Sequence, residues 1–348
     1  MPDAMIAKSP WVRIVIVNYN AGPLLQICID AVASQTLSAF ETVIVDNASN
    51  TRPISSLRLP DGRFEIQHAV DNIGFAAATN LGAKGSTVPW IATLNPDTRP
   101  RPDWLAELRS ATVRHKWATM FGSTQLAMNN PKIVDGFGDV LSAFGSAWRS
   151  GNGRTVRELP TGDCEVFSPC AAAALYARES FDRAGGFDES FFCYLEDLDL
   201  GFRLRLKGER CVQVRRAEVL HAGSAITGHL SNFSVFHSFR NRIWLFAKNT
   251  PLPLLAPIFG MQSAGIALSL ARPTARSYRR AALKGVWAGL QGLPSVLHSR
   301  TKVQRSRVKS TCEVARMMVW NPLKSRPRGR INVFRPISNS QPMGEAAR

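Results

Sequence analysis

Apolar positions in the first part of the chain fall into short blocks of two kinds. Val12–Asn18 (VRIVIVN) and Thr42–Asp46 (TVIVD) are β-branched runs, the pattern of strands buried on both faces. Glu65–Ala69 and Trp90–Leu94 (WIATL) are shorter runs of the same kind. Between them Leu24, Leu25, Cys28, Ile29 and Val32 recur at helical spacing, and Phe75–Lys84 and Leu105–His115 read as two more helices. Strands alternating with helices over about 120 residues predict an α/β fold with a mostly parallel sheet flanked by helices. Residues 119–165 carry only weak strand signals. Beyond them, Ala171–Tyr176 reads as a strand, Ser180–Ala184 opens a helix, and Gly185-Gly186 marks a turn. Glu196–Arg205 reads as a helix, Val212–Val214 and Val219–His221 as short strands, and Phe233–Lys248 as a long helix.

The final third changes character. Leu252–Ala271 holds no charge over 20 residues but includes Pro253, Pro257, Gly260, Gln262 and Gly265, which makes it long enough for a bilayer and poor as a spanning helix. Leu283, Val286, Trp287, Leu290, Leu293 and Leu297 then form a stripe at helical spacing beside Arg279, Arg280 and Lys284, the pattern of an interfacial helix. Residues 322–348, rich in Pro, Ser and Arg, read as disordered.

Charge sharpens that division. The chain of 348 residues has a net charge of +17, yet Arg272–Arg348 holds 17 Lys/Arg against 2 Asp/Glu, leaving 26 against 24 in residues 1–271. A basic tail behind a neutral body suits an anionic membrane surface or a polyanion. Six cysteines without a C-x-x-C pair read as buried thiols in a reducing compartment. The opening MPDAMIAKSPWVR lacks the apolar core of a signal peptide, so a cytoplasmic start is expected.

In open parallel sheets, ligands bind beyond the carboxyl ends of the strands. Here those ends read Asn18-Tyr19-Asn20, Asp46-Asn47 and Asn95-Pro96-Asp97, all rich in oxygen. No G-x-G-x-x-G and no G-K-[ST] follows the first strand, which argues against dinucleotide oxidoreductases and P-loop NTPases.

The segments VIVNYNAGPLLQICIDAVASQ, VIVDNAS, DNIGFAAATNLG, LNPDT, AGGFDESFFCYLEDLDLGFRLRLKG and VLHAGS, in this order, resemble the family 2 glycosyltransferases of the GT-A fold, and most closely the bacterial rhamnosyltransferase-like branch. The resemblance spans residues 10–248, expected to be a Rossmann-like GT-A catalytic domain. Residues 249–310 are then an apolar, amphipathic and basic helical region, a candidate for membrane association, and 311–348 a basic tail expected to be largely disordered.

The resemblance implies an inverting, metal-dependent transfer of a sugar, with dTDP-rhamnose as the suspected donor. The acceptor is expected to be lipid-linked or a polysaccharide, at the inner face of the plasma membrane. A divalent cation, Mg²⁺ or Mn²⁺, would neutralise the diphosphate. Asp97 is its first candidate ligand, at a strand end, and His221 the second; Asn95 stands where the D-x-D pattern has an aspartate. Asp197 matches the family's general base, with Glu196 beside it. Asp46, Asn18, Tyr19, Asn20, Asn72, Gly74, Asn80, Asn95 and Arg240 are the candidates for the nucleotide sugar.

Each residue also has a plain structural reading. Asp97 could cap a turn, His221 could be a core histidine, Glu196 and Asp197 could simply favour a helix start, and Tyr19 could be core. Arg240 could lie on a solvated helix face, and Phe191, Phe192 and Tyr194 could be packing rather than an acceptor platform. Two other functions fit parts of the chain: nucleic-acid binding by the basic tail, which lacks any recognisable binding motif, and a nucleotidyltransferase, which lacks a triphosphate loop.

Overall fold

The computed structural model describes residues 9–51, 54–223, 230–321 and 331–337; the expectations for residues 1–8, 322–330 and 338–348 lie outside the described residues. The chain opens with β1 (Val12–Asn18), α1 (Pro23–Ala33), β2 (Phe40–Asp46), β3 (Phe64–His68), α2 (Gly74–Ala83), β4 (Trp90–Leu94), β5 (Thr98–Pro100) and α3 (Trp104–Arg114). The longer strands lie parallel in the order β3-β2-β1-β4. The chain thus leaves β1 toward one side for β2 and returns on the other side as β4, which makes the end of β1 a switch point where a crevice opens.

Alternation along β1 explains why its whole run is apolar. Ile14 and Ile16 pack with Leu25, Ile29, Trp104 and Leu105 on one face. Val15 and Val17 pack with Val43, Val45, Ala76 and Ala78 on the other. Arg13 stays buried because its guanidinium is bonded to Glu41 and to the carbonyls of Gly82 and Lys84.

The weakly patterned segment holds β6 (Met120–Ala127), β7 (Asn130–Gly136), β8 (Asp139–Leu141), β9 (Ala147–Arg149) and β10 (Cys164–Val166). β11 (Ala173–Ala177), α4 (Arg178–Ala184), α5 (Glu196–Leu206) and β12 (Cys211–His221) follow. β11 inserts antiparallel between β4 and β6, and β12 runs parallel to β6. The two short strands expected at 212–214 and 219–221 are one strand. A register shift between Val214 and Glu218 interrupts its apolar pattern at Arg215 and Arg216.

The C-terminal third forms α6 (Asn232–Asn249), α7 (Leu252–Ala271), α8 (Arg279–Gln291), α9 (Leu293–Arg305) and α10 (Thr311–Arg316), then β13 (Arg335–Pro336). α8 lies on α6 through small residues: Ala281, Ala282, Gly285 and Gly289 are buried, and a side chain at Gly285 would meet the Phe236 carbonyl at 2.4 Å. Two parts of the expected tail are ordered. Ser310 and Glu313 form a capping box on α10, and β13 pairs with β10 while Arg335 reaches Glu165 at 3.2 Å.

Helix α2 sits close on the sheet because residue 82 has no side chain. A Cβ there would stand 2.6 Å from Val15 Cγ1 and 2.9 Å from Val45 Cγ2. Gly82→Ala is expected to destabilise the fold by about 1–3 kcal/mol through overpacking, read as a lower urea midpoint at unchanged slope.

Candidate active site

The crevice floor is built by strand register. Asn18 ends β1 directly opposite Asp46, which ends β2. Asn18 Nδ2 donates to Asp46 Oδ1 at 2.9 Å and to Ser49 Oγ at 3.0 Å. Asn20 takes a left-handed conformation (φ 57°), which Asn tolerates, and its Oδ1 accepts from the amides of Asn50 and Thr51. Asn72 Oδ1 accepts from Asn47 Nδ2 (2.9 Å) and from the amide of Gly74 (3.1 Å). Tyr19 is exposed at the rim rather than in the core.

A second group gathers where β4 and β12 end. His221 pairs with Thr98 across β12 and β5, and the Ala222 amide bonds the Asp97 carbonyl at 3.0 Å. His221 Nε2 lies 3.4 Å from Asp97 Oδ1, which is buried and makes no aligned hydrogen bond. The other ring nitrogen, Nδ1, is 2.6 Å from Asp135 Oδ2, and Arg149 closes on that same carboxylate. Burial alone would lower the His221 pKa, but the Asp135 and Asp97 carboxylates outweigh it and raise it to about 9. An orphaned carboxylate oxygen facing an imidazole whose far nitrogen is held by a second carboxylate fits a hard divalent cation. Asn95 holds the turn through its backbone, accepting from Thr98 Oγ1 at 2.7 Å.

The third group surrounds the start of α5. Asp197 Oδ2 accepts from the Ala171 amide (3.0 Å) and Oδ1 from the Leu198 amide (2.8 Å). Ligand atoms of Asp139, Cys170 and Asp197 lie within 4.8 Å of one another. Burial raises the pKa of Asp197 against those two amides, and raises Glu196 and Asp139 further, each with the Asp197 charge as the next cause. Glu196 Oε2 is buried without a partner. Asp199 belongs elsewhere: it is fully buried and bonded to Arg203, Lys248 and Asn249.

Three expected donor contacts have other partners. Asn80 spends its carboxamide on the Phe187 backbone and Glu189, because the Gly185-Gly186 turn must be tied to α2. Gly74 (φ +83°) makes room for Phe192, whose carbonyl and ring would stand 2.6 Å from a Cβ there. Arg240 donates to the carbonyls of Phe191 (2.8 Å) and Ser190 (3.2 Å), and burial lowers its pKa to about 10.

These contacts restrain a strained segment. Phe192, Tyr194 and Leu195 all have φ between 63° and 72°, and Cys193 N bonds Phe191 O at 2.7 Å in a γ-turn about Phe192. Asn241, fully buried on α6, directs Nδ2 at the carbonyls of Phe191 (2.9 Å), Cys193 (2.9 Å) and Tyr194 (2.7 Å). Phe191 is core against Trp244, while Phe192 stacks on His237 with centroids 5.3 Å apart. Asp135, Asp139 and Arg149 went unread in the sequence, where Cys170 reads only as a buried thiol and Asn241 only as the neighbour of Arg240. The legible signal was Asp135-Gly136-Phe137-Gly138-Asp139, two carboxylates flanking glycines.

Residues 13–183 match the sequence profile of Glycosyl transferase family 2. The chain is 28% identical over 240 residues to the N-acetylglucosaminyl-diphospho-decaprenol L-rhamnosyltransferase of Mycobacterium tuberculosis H37Rv, covering 62% of this chain and 77% of that one. It is 29% identical over 234 residues to the O-antigen biosynthesis protein RfbC of Myxococcus xanthus, covering 63% of this chain and 18% of that one. Among solved structures, GalNAc-T7 with UDP, GalNAc and Mn²⁺ superposes with a TM-score of 0.61 at 14% identity, over 83% of this chain and 56% of that one. Mannosyltransferase PcManGT from Pyrobaculum calidifontis, in complex with GDP-Man and Mn²⁺, gives 0.52 at 16% identity, over 86% of each chain. The fold is that of the GT-A glycosyltransferases. Residues 13–183 are thus a Glycosyl transferase family 2 domain, and the relatives that the chain resembles include a rhamnosyltransferase.

Replacing Asn241 by Ala removes three hydrogen bonds to the loop carbonyls, of which that of Phe191 keeps Arg240 and the Cys193 amide as donors. The expected cost is about 1–3 kcal/mol, with faster amide hydrogen exchange concentrated in residues 191–195.

Proposed function

We propose that the protein transfers rhamnose, with inversion, from a nucleotide diphosphate sugar to a lipid-linked or polysaccharide acceptor, with help from a divalent cation. The observation that carries this reading is the buried Asp97 oxygen without a hydrogen bond, facing His221 Nε2, with Asp135 fixing the ring from behind. Asp97 and His221 would hold the cation, which supplies Lewis-acid neutralisation of the departing diphosphate. The N-acetylglucosaminyl-diphospho-decaprenol rhamnosyltransferase supports rhamnose and a lipid-linked acceptor, and dTDP-rhamnose is the suspected donor. The Mn²⁺ in the GalNAc-T7 and PcManGT structures supports a divalent cation, Mg²⁺ or Mn²⁺.

In this reading Asp46, Asn18, Tyr19, Asn20 and Asn72 take the nucleoside, and Asn95 shapes the turn that presents Asp97. Asp197 is the base. Its carboxylate takes the acceptor hydroxyl proton as that oxygen bonds to the anomeric carbon and the sugar–phosphate bond breaks on the opposite face. Glu196, whose pKa burial raises well above the usual carboxylate value, stands beside it and orients the segment. Arg149 lies charged between Asp135 and the Asp139–Asp197 pair and keeps those carboxylates from repelling the donor. Asn80, Gly74 and Arg240 act at one remove, by holding the loop before the base. The acceptor places the enzyme at the cytoplasmic face of a membrane.

The test is donor hydrolysis by the purified chain, offered dTDP-rhamnose, UDP-glucose, UDP-galactose or GDP-mannose with Mn²⁺, Mg²⁺ or EDTA. Release of dTDP that requires metal is expected, together with its loss in Asp97→Ala. Failure of every donor to bind or turn over with either metal would overturn the reading. Asp135→Asn is expected to weaken Mn²⁺ binding by about 10–100-fold, measured by calorimetry.

Asp197→Asn should leave donor binding intact and slow transfer by about 10²–10⁴-fold. The pH profile follows from the direction of the Asp197 shift. The base must be ionised, its pKa is raised by burial, and activity should therefore be lost on acidification at a pH above the usual Asp range of about 3.9. An acidic limb at or below that value would remove Asp197 as the base.

A further inference from the structure

The outward faces of α7 and α8 carry a chemistry that a water-facing surface lacks. α7 runs for 20 residues without a charge, and its mean hydropathy reaches 1.6. One side is fixed to the body: Ile258 and Gln262 are buried, and a side chain at Gly145 would strike Gln262 at 2.3 Å. The other side is exposed and bears Leu252 (74%) and Leu268 (67%), where a surface helix places charges. α8 continues the pattern. With its small residues turned to α6, Leu283, Trp287 and Leu290 face outward, Trp287 at 64% exposure, interleaved with exposed Arg280 and Lys284. From Leu252 to Lys309 there are ten Lys/Arg and no Asp or Glu.

We propose that this α7–α8 face is a docking surface for an anionic lipid bilayer, on which the protein lies as a peripheral protein. The absence of acids over 58 residues selects a negatively charged partner, and the interleaved Leu and Trp select one with an apolar layer beneath its charge. Trp287 beside Lys284 suits the headgroup boundary. α7 lies along the surface rather than across it, because Ile258 and Gln262, near its middle, are packed on the body and Pro257 interrupts its hydrogen bonding. This extends the proposed membrane-borne acceptor, but it draws on no property of the active site.

The test is flotation of the full chain with phosphatidylcholine vesicles, with and without 30% phosphatidylglycerol. Binding about tenfold stronger to the anionic vesicles, weakened by salt, is expected. The triple substitution Leu283→Ser, Trp287→Ser, Leu290→Ser should lose most of that binding, and Arg280→Gln with Lys284→Gln should lose the preference for phosphatidylglycerol. Unchanged thermal unfolding shows that both variants are folded. Equal binding by the triple variant, or none by the native chain, would overturn the proposal. So would a dimer in light scattering that the triple variant abolishes, which assigns the face to a second copy. Resistance of the vesicle-bound chain to carbonate extraction would make α7 a span and overturn it as well. No step requires turnover, so vesicle binding by a chain that hydrolyses no donor leaves this surface standing while the transferase reading falls.

Discussion

Asp199 is the carboxylate on which the arrangement of the catalytic half rests. It is completely buried, and it accepts from Arg203 Nε (2.7 Å), Lys248 Nζ (2.9 Å) and Asn249 Nδ2 (2.8 Å). Lys248 also bonds Asp188 at 2.5 Å, and Arg203 donates to the carbonyls of Ala184 and Gly186. A charge this deep is tolerated only while its partners surround it, and removing one costs about 3–5 kcal/mol. The network therefore ties α5, α6 and the Gly185–Asp188 turn into one unit. Asp197 lies two residues before Asp199 on the same helix, so the phase that the network imposes on α5 also sets where the Asp197 carboxylate emerges.

The strained loop before α5 follows from the same constraint. Residues 192, 194 and 195 stay in left-handed conformations only because something over-determines them. Asn241 and Arg240 do so from α6 and Gly74 from α2, while Asn80 ties the preceding Phe187–Glu189 stretch to α2. Four residues that look unrelated in sequence thus converge on one segment, residues 187–195. Asn241 and Arg240 donate to backbone carbonyls, Asn80 bonds the Phe187 backbone and Glu189, and Gly74 leaves room for Phe192. The loop's approach to Gly74 also brings Phe192 against the Asn72–Gly74 turn.

How much of this was legible depended on whether a signal was local. The buried strands ending at Asn18, Asp46 and Leu94 announced themselves by unbroken apolar runs, and their polar ends pointed to the crevice. The partnership of Asp199 with Arg203 follows from helical spacing. Asp135, Asp139 and Arg149 were not legible, because β8 and β9 are three-residue strands and β7, seven residues long, is exposed over its first three residues and lacks an apolar run. The partners of Asn80 and Arg240 were hidden for a different reason. An Asn or Arg near a binding motif reads as a ligand contact, and only tertiary structure shows its hydrogen bonds already used by residues 107 and 49 positions away.

α6 gives these parts a common frame. One face takes α8 through backbone-close glycine contacts at Gly285 and Gly289. Another buries Asn241 against the loop and Lys248 against Asp199. A Cβ at Gly289 would meet Ile243 at 2.8 Å, one at Gly285 would meet the α6 backbone at 2.4 Å, and Trp244 Nε1 bonds the Gly289 carbonyl at 2.9 Å. Contacts this tight leave α8 little freedom to slide on α6. The outward Leu and Trp of α8, the loop at residues 191–195 and the carboxylates of α5 are consequently carried by one rigid assembly. If α8 docks on a bilayer as proposed, this assembly fixes the height of the crevice above it, as the proposed lipid-linked acceptor would require.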